Sequence, residues 1–279
     1  MPELPEVETV RRGLAAKLTG RRFVEVDQRR PNLRYPLPER LVDRVVGRTV
    51  ETIDRRAKYL LLKLDDGMVL VIHLGMSGRM MLAEERSEPG PHDHLIFETD
   101  DGTVVTFNDV RRFGMVDLVS SNALEAYPAL ASLGPEPLGD AFTPQTLSDR
   151  LAGKRTPVKA ALLDQRNVAG LGNIYVCEAL FDAGISPRRL AKTVVGKRAE
   201  RLVPAIKDVL TRAIDAGGSS LRDYVQASGE LGYFQHEWAV YGREGEPCRG
   251  CDCDWRTNGG VARLVQSNRS TFYCPRRQS

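Results

Sequence analysis

Two short stretches constrain the fold of this chain more than any others. "YLLLKL" and "MVLVIHL" flank Asp65-Asp66-Gly67, and "HLIFET" and "TVVTF" flank Asp100-Asp101-Gly102. Asp-Gly supplies the positive φ that a tight turn needs, so each pair reads as a β-hairpin. Strands that follow one another without intervening helices predict an antiparallel sandwich or barrel. A helix is expected ahead of them, from about Glu3 to Leu18. Leu4, Val7, Leu14 and Leu18 recur there at near-helical spacing, Gly20 follows, and Pro5 is tolerated in the first turn.

The pattern changes at "LGPEPLGDAFTP", which has three prolines, two glycines and no long apolar run. Beyond it, helices are expected over 144–151, 157–165, 173–183 and 197–216, with the turn "NVAGLGN" between the second and third. The stretch 241–279 is rich in Gly and Cys and too short for a core, so it needs a metal or a neighbouring domain for support. An α+β protein follows, with domains expected at 1–135, 136–240 and 241–279.

With 279 residues, 42% hydrophobic and 28% charged, the chain belongs with globular proteins rather than disordered or membrane ones. No apolar run approaches the ~20 residues of a membrane span. The acidic N-terminus lacks the order of a secretory signal, and a cytoplasmic address is expected. Net charge is only +3, but from Trp255 onward there are five arginines and no acid. Such a segment suits a polyanion, or is simply a solvated basic tail. Cys177 sits in an apolar helical stretch and reads as core. Cys248, Cys251, Cys253 and Cys274 cluster, which without a secretion signal points to metal ligation before disulfides.

The opening "MPELPEVETV" puts prolines at 2 and 5 and glutamates at 3, 6 and 8. Once Met1 is removed, Pro2 is a secondary amine, able to attack an aldehyde-like carbon and form a charged, electron-withdrawing iminium. An α-amino group has a pKa near ~8 against ~10.4 for lysine, so it is neutral far more often at pH 7. A helix beginning there favours the neutral amine further, while Glu3 and Glu6 supply proton-transfer groups. Capping preferences alone would also place Pro and Glu at a helix start.

"PELPEVETVRRGL", "RRAKYLLL", "HLGMSGRM", "NDVRRFG", "LGPEPL", "GLGNIYVCEALFDAGISP", "GYFQHEWAVYGREGEPC" and "RSTFYCP" occur in this order and span nearly the whole chain. Together they resemble the bacterial formamidopyrimidine-DNA glycosylase family, base-excision enzymes for oxidised purines. The resemblance implies an N-terminal helix with a β-sandwich domain, a helix–two-turn–helix domain and a zinc-finger-like β-hairpin. It implies a monomer whose partner is double-stranded DNA containing oxidised bases, and a bifunctional glycosylase and abasic-site lyase. Pro2 would be the nucleophile, Glu3 the acid/base partner at the sugar O4′, and Glu6 a support of that site. Lys58 would be a proton donor and phosphate contact, and Arg269 would act in δ-elimination. His73, His92, Arg111, Lys154 and Asn173 would contact DNA. Met76, Arg111 and Phe113 would fill the void left by the flipped nucleotide. Residues 217–233 would form the loop over the flipped base. Two alternatives stand beside this reading: an endonuclease VIII-like enzyme for oxidised pyrimidines, and a damaged-DNA-binding protein without catalysis.

The chain departs from the family at its metal site. The resemblance implies one zinc per chain held by four cysteines ending in a C-x-x-C pair, but after Cys274 the second position of that pair is Arg277. Three arrangements remain open: a site of Cys248, Cys251, Cys253 and Cys274, a three-thiolate site completed by water or a distant His, or a metal-free hairpin.

Overall fold

The N-terminal periodicity is realised as helix α1, Leu4–Leu18, which buries Leu4, Val7, Val10, Leu14 and Leu18 along one stripe. The structure, a computed structural model, describes residues 2–219 and 232–279. They fall into two compact units, residues 1–131 with 216–235 and residues 132–215 with 236–279.

In the first unit α1 is followed by β1 (Phe23–Gln28), α2 (Leu41–Val45), β2 (Val50–Arg56), β3 (Tyr59–Leu64), β4 (Met68–His73), β5 (Gly78–Ala83), β6 (Asp93–Thr99), β7 (Val104–Asp109), β8 (Met115–Ser120) and the short α3 (Pro128–Ala131). Two four-stranded sheets result, in the orders β1-β6-β7-β5 and β2-β3-β4-β8. Every pairing is antiparallel. The two expected hairpins are β3–β4 and β6–β7, and their turn glycines, Gly67 and Gly102, have φ of 77° and 87°. Leu60, Leu62, Leu64, Leu70 and Ile72 from one sheet meet Phe97, Val105 and Phe107 from the other in a core that also takes in the α1 stripe. This is the sandwich expected from the sequence. Leu61, Val69 and Val71, on the opposite face of β3 and β4, are buried as well. That two-sided burial is why both runs are continuously apolar rather than alternating.

The second unit contains α4 (Pro144–Leu151), α5 (Val158–Leu163), α6 (Asn173–Asp182), α7 (Lys197–Asp215), α8 (Trp255–Asn258) and the hairpin β9 (Ala262–Gln266) and β10 (Arg269–Tyr273). All four expected helices are present, the second starting and stopping inside its expected limits. The hairpin does not stand alone: Cys248, Val261 and Cys274 share a core cluster with Cys177 and Phe181 of α6. Cys177 is thus a core residue, as its apolar setting suggested. No helix among the described residues is long and apolar enough to cross a membrane.

Candidate active site and nucleic-acid interface

The expected site residues divide between the units. Pro2, Glu3, Glu6, Lys58, His73, Met76, His92, Arg111 and Phe113 lie in the first; Lys154, Asn173, Arg269 and the clustered cysteines lie in the second.

Pro2 and Glu3 immediately precede α1 and are buried. One oxygen of Glu6 accepts the Glu3 backbone N–H at 2.8 Å, satisfying a donor at the helix start. Its other oxygen accepts the Ser219 N–H at 2.8 Å. Glu6 therefore fastens the N-terminus to the stem of the segment over 217–233. The stem is closed by the Ser219–Tyr233 bridge and by the Phe234 N–H donating to Gly218 O at 3.1 Å. Residues 220–231, which carry most of the expected base-covering loop, lie outside the described residues.

Lys58 is buried and sits in the two-residue turn between β2 and β3. Its neighbour Ala57 has φ of 54°, a left-handed conformation costly for a residue with a Cβ. The turn is held from outside. The Arg55 guanidinium donates to Ala57 O at 2.9 Å and to the Glu8 carboxylate at 3.0 Å. Burial pushes the Glu8 carboxyl up, but the hydrogen bonds and charges of Arg11 and Arg55 outweigh it, leaving a net shift downward. Glu8 thus stays charged and braces the turn against α1.

His73, at the end of β4, packs against Tyr59 with ring centroids 4.8 Å apart and ring planes tilted by 50°. Its Nδ1 accepts the Gly75 N–H at 3.0 Å, which leaves the proton of a neutral ring on Nε2. Burial first, then the Lys58 and Arg34 charges, lower its pKa to about 4. At neutral pH it is an uncharged donor, suited to a phosphate oxygen. Met76 is half-buried in the β4–β5 turn, and His92, Arg111 and Phe113 are exposed. The Arg111 guanidinium lies 4.8 Å over the Phe113 ring, presenting a cation and an aromatic face together.

In the second unit Arg269 is exposed and opens β10. It follows a turn whose central residues, Ser267 and Asn268, have φ of 49° and 58°, the pattern of a type I′ hairpin. Lys154 is half-buried in the connection after α4. Asn173, first residue of α6, donates its side-chain amide to Ser270 O at 2.9 Å and to the Tyr241 hydroxyl at 3.3 Å. A phosphate contact through this amide would compete with those bonds, whereas the helix N-terminus at the same place offers backbone donors.

Cys248, Cys251, Cys253 and Cys274 bring their sulfurs within 4.8 Å of one another. Burial pushes the Cys248 and Cys251 thiols up. Arg277 is otherwise engaged: it donates to Gly250 O at 2.7 Å and Phe181 O at 3.0 Å, and its guanidinium sits 4.7 Å over the Phe181 ring. The residue that departs from the family's cysteine pair staples the C-terminal segment to α6.

The family model described as Formamidopyrimidine-DNA glycosylase N-terminal domain matches residues 1–116, and the one described as Formamidopyrimidine-DNA glycosylase H2TH domain matches residues 133–225. A protein named formamidopyrimidine-DNA glycosylase from Rhodospirillum centenum is 65% identical, with all of both chains aligned. The chain belongs to the formamidopyrimidine-DNA glycosylase family. Among solved structures, the MutM (Fpg) protein of Thermus thermophilus matches with a TM-score of 0.87 and 41% identity over 99% of this chain and 98% of that one. Lactococcus lactis Fpg in complex with DNA containing N7-benzyl-Fapy-dG matches with a TM-score of 0.89 and 34% identity over 99% of each chain.

Sequence reasoning missed three polar supports, two in the first unit and one in the second. Arg55 and Glu8 brace the Lys58 turn, and Glu178 of α6 accepts the backbone N–H groups of Ala239, Val240 and Tyr241, ahead of the cysteine cluster. The buried Ser77 hydroxyl donates to the buried Asp109 carboxylate at 2.6 Å, joining the β4–β5 turn to the end of β7. Each is a polar residue inside or beside an apolar run, the one cue available without coordinates.

Proposed function

We propose that this protein is a DNA glycosylase and abasic-site lyase that excises oxidised purines, 8-oxoguanine and formamidopyrimidines, from duplex DNA. The observation that carries the reading is the buried Pro2–Glu3 pair at the head of α1, fastened by Glu6. The full-length kinship with proteins named for this activity supports it. The domains divide the labour: 1–135 catalytic, 136–240 and 241–279 holding DNA.

With Met1 removed, the Pro2 nitrogen attacks C1′ of the flipped nucleotide. The glycosidic bond from C1′ to the base breaks and the base leaves with a proton. Glu3 then protonates O4′ as the C1′–O4′ bond opens, so that C1′ becomes doubly bonded to the Pro2 nitrogen. The resulting iminium withdraws electrons, so a C2′ proton is lost and the 3′ phosphate departs, followed by the 5′ phosphate. Lys58 donates a proton and contacts a phosphate, and Arg269 acts in the δ-elimination step and clamps a phosphate. His73, His92, Arg111, Lys154 and Asn173 fix the register of the backbone, and Met76, Arg111 and Phe113 occupy the vacated stack.

One zinc, held by Cys248, Cys251, Cys253 and Cys274, would order the hairpin without entering the reaction. The donor set is four convergent thiols: the Cys251–Cys274 and Cys253–Cys274 sulfur separations are 3.8 and 3.7 Å, whereas Cys248–Cys253, at 3.1 Å, would have to open by about 0.7 Å around a metal. The two longer separations are close to the ~3.8 Å edge of a tetrahedron with Zn–S near ~2.3 Å. Elemental analysis is expected to give one zinc per chain, and Cys253→Ser is expected to lose it. Retention in that variant would reassign the fourth ligand.

Borohydride trapping tests the function. A covalent adduct is expected with 8-oxoguanine opposite cytosine. Preference for thymine glycol would favour an oxidised-pyrimidine enzyme, and no adduct with any lesion would leave a binding protein.

A further inference from the structure

Two segments of the second unit, the one after α4 and the one before α7, are zipped together by backbone hydrogen bonds. The Val158 N–H donates to Arg189 O at 2.7 Å, and the Ala191 N–H to Thr156 O at 2.9 Å. The Lys192 N–H donates to Lys154 O at 2.9 Å, and Pro157 and Leu190 form an antiparallel bridge between them. The ribbon brings the cations of both segments together, Lys154 and Arg155 with Arg188, Arg189 and Lys192. The second segment runs on into α7, which opens with Lys197 and Arg198. Between 186 and 201 there are six cations and a single acid, Glu200.

These charges lack internal partners. Arg155, Arg188, Lys192, Lys197 and Arg201 are exposed, and among the described residues no acid pairs with any of them. Other arginines of the unit are occupied, Arg166 on Asp164 at 2.7 Å and Arg212 on Asp182 at 3.0 Å. Lys197 and Arg198 also stand in the first turn of a helix, at the positive end of its dipole, where a cation lowers stability. With Val195, Glu200 and Arg201 they line an open hollow of about 530 Å³. Crowded, unpaired positive charge costs self-repulsion that an external polyanion relieves.

We propose that this strip, from Arg155 and Lys192 through Arg188 to the start of α7, is a second phosphate-binding surface that holds an arm of the duplex beyond the phosphate at Lys154. It deepens the duplex reading proposed above and rests on it for Lys154. A duplex arm is favoured over an acidic protein segment because the strip is hydrogen-bonded, backbone to backbone, to Lys154 itself. A duplex carries one charge per ~1.7 Å of its axis, so a duplex held at Lys154 brings further phosphates to neighbouring cations as it runs on. Contacts of this kind read no sequence. They raise affinity for any duplex, damaged or not, and so serve the search for a lesion.

The test is one variant carrying Arg188→Ala, Lys192→Ala and Lys197→Ala, three exposed side chains whose loss spares the core. The probe is a duplex of about 30 base pairs with 8-oxoguanine opposite cytosine at its centre, long enough to leave a free arm on each side. Hydroxyl-radical footprinting of the parent is expected to show protection extending past the phosphates that Lys154→Ala uncovers. In the triple variant only that outer protection disappears. Its affinity in low salt falls about ten-fold, and the slope of log affinity against log salt shallows by about two to three, near ~0.9 for each phosphate released. An unchanged footprint and slope overturn the proposal and leave a solvated face. An unchanged footprint with lost binding of a poly-glutamate peptide overturns it in favour of an acidic protein partner. Uniform weakening across the whole footprint overturns it too, by tying these cations to the central grip. If Lys154→Ala uncovers nothing, the contact assigned to Lys154 fails and the strip loses its anchor, a result distinct from an inert triple variant.

Discussion

Blocking the Pro2 amine, by retaining an extra residue ahead of it, is expected to abolish borohydride trapping and to slow base excision by roughly three orders of magnitude, about 4 kcal/mol in the barrier. An amide nitrogen has no available lone pair, so neither the bond to C1′ nor the iminium can form. No neighbouring amine replaces it readily. A lysine of ordinary pKa near ~10.4 is neutral a few hundred times less often at pH 7 than an α-amine near ~8. Pro2→Gly puts a primary amine in place of the secondary one and is expected to trap in reduced yield, separating the need for an amine from the need for proline. The blocked protein should still bind DNA, with affinity falling steeply as salt rises, because phosphate contacts do not involve the amine. Mass spectrometry of the terminus, then trapping and gel-based excision on one duplex, make the measurement. A blocked protein that traps and excises as the parent does would refute covalent catalysis at Pro2.

Local chemistry made much of the fold legible. The Asp-Gly turns announce the β3–β4 and β6–β7 hairpins because positive φ is a property of the residue itself, and α1 announces itself through the spacing of its buried stripe. Sheet order is different. In β1-β6-β7-β5, β1 is paired with a strand some seventy positions away, and no local pattern encodes that. The Lys58 turn was invisible for another reason. Its left-handed residue is Ala57, imposed by Arg55 and Glu8 rather than preferred. The cysteine cluster was half legible. Spacing could not choose between Cys251 and Cys253, whereas in space both converge with Cys248 and Cys274. Arg277 read as a missing ligand because its bonds to Phe181 and Gly250 link segments far apart in sequence.

Glu178 shows how far a single unread residue can reach. In "NIYVCEALFD" it looks like the polar face of a helix, but it is 4% exposed. Burial pushes its carboxyl up, against the lowering pull of three backbone amides. Those donors are Ala239, Val240 and Tyr241, at 2.8, 3.1 and 2.8 Å. The segment they belong to leads directly into the cysteine hairpin, and the Tyr241 ring packs edge-on against Phe272 of β10 at 5.2 Å. Glu178→Ala would take this acceptor from the buried N–H groups of Ala239 and Val240 and from the half-buried N–H of Tyr241. At ~1–3 kcal/mol for each such group, less whatever entering water recovers, the expected loss is about 4 kcal/mol of stability. Glu178→Gln keeps one carbonyl oxygen and turns an N–H₂ toward donors, so it should cost about half as much. Thermal unfolding is expected to rank the parent above Gln and Gln above Ala, with zinc lost most readily from Ala. Because Pro2, Glu3 and Lys58 belong to the other compact unit, trapping on a single-stranded abasic oligonucleotide should survive in the Gln variant. A melting temperature unchanged in Glu178→Ala would mean that these three amides find water as good a partner as the carboxylate.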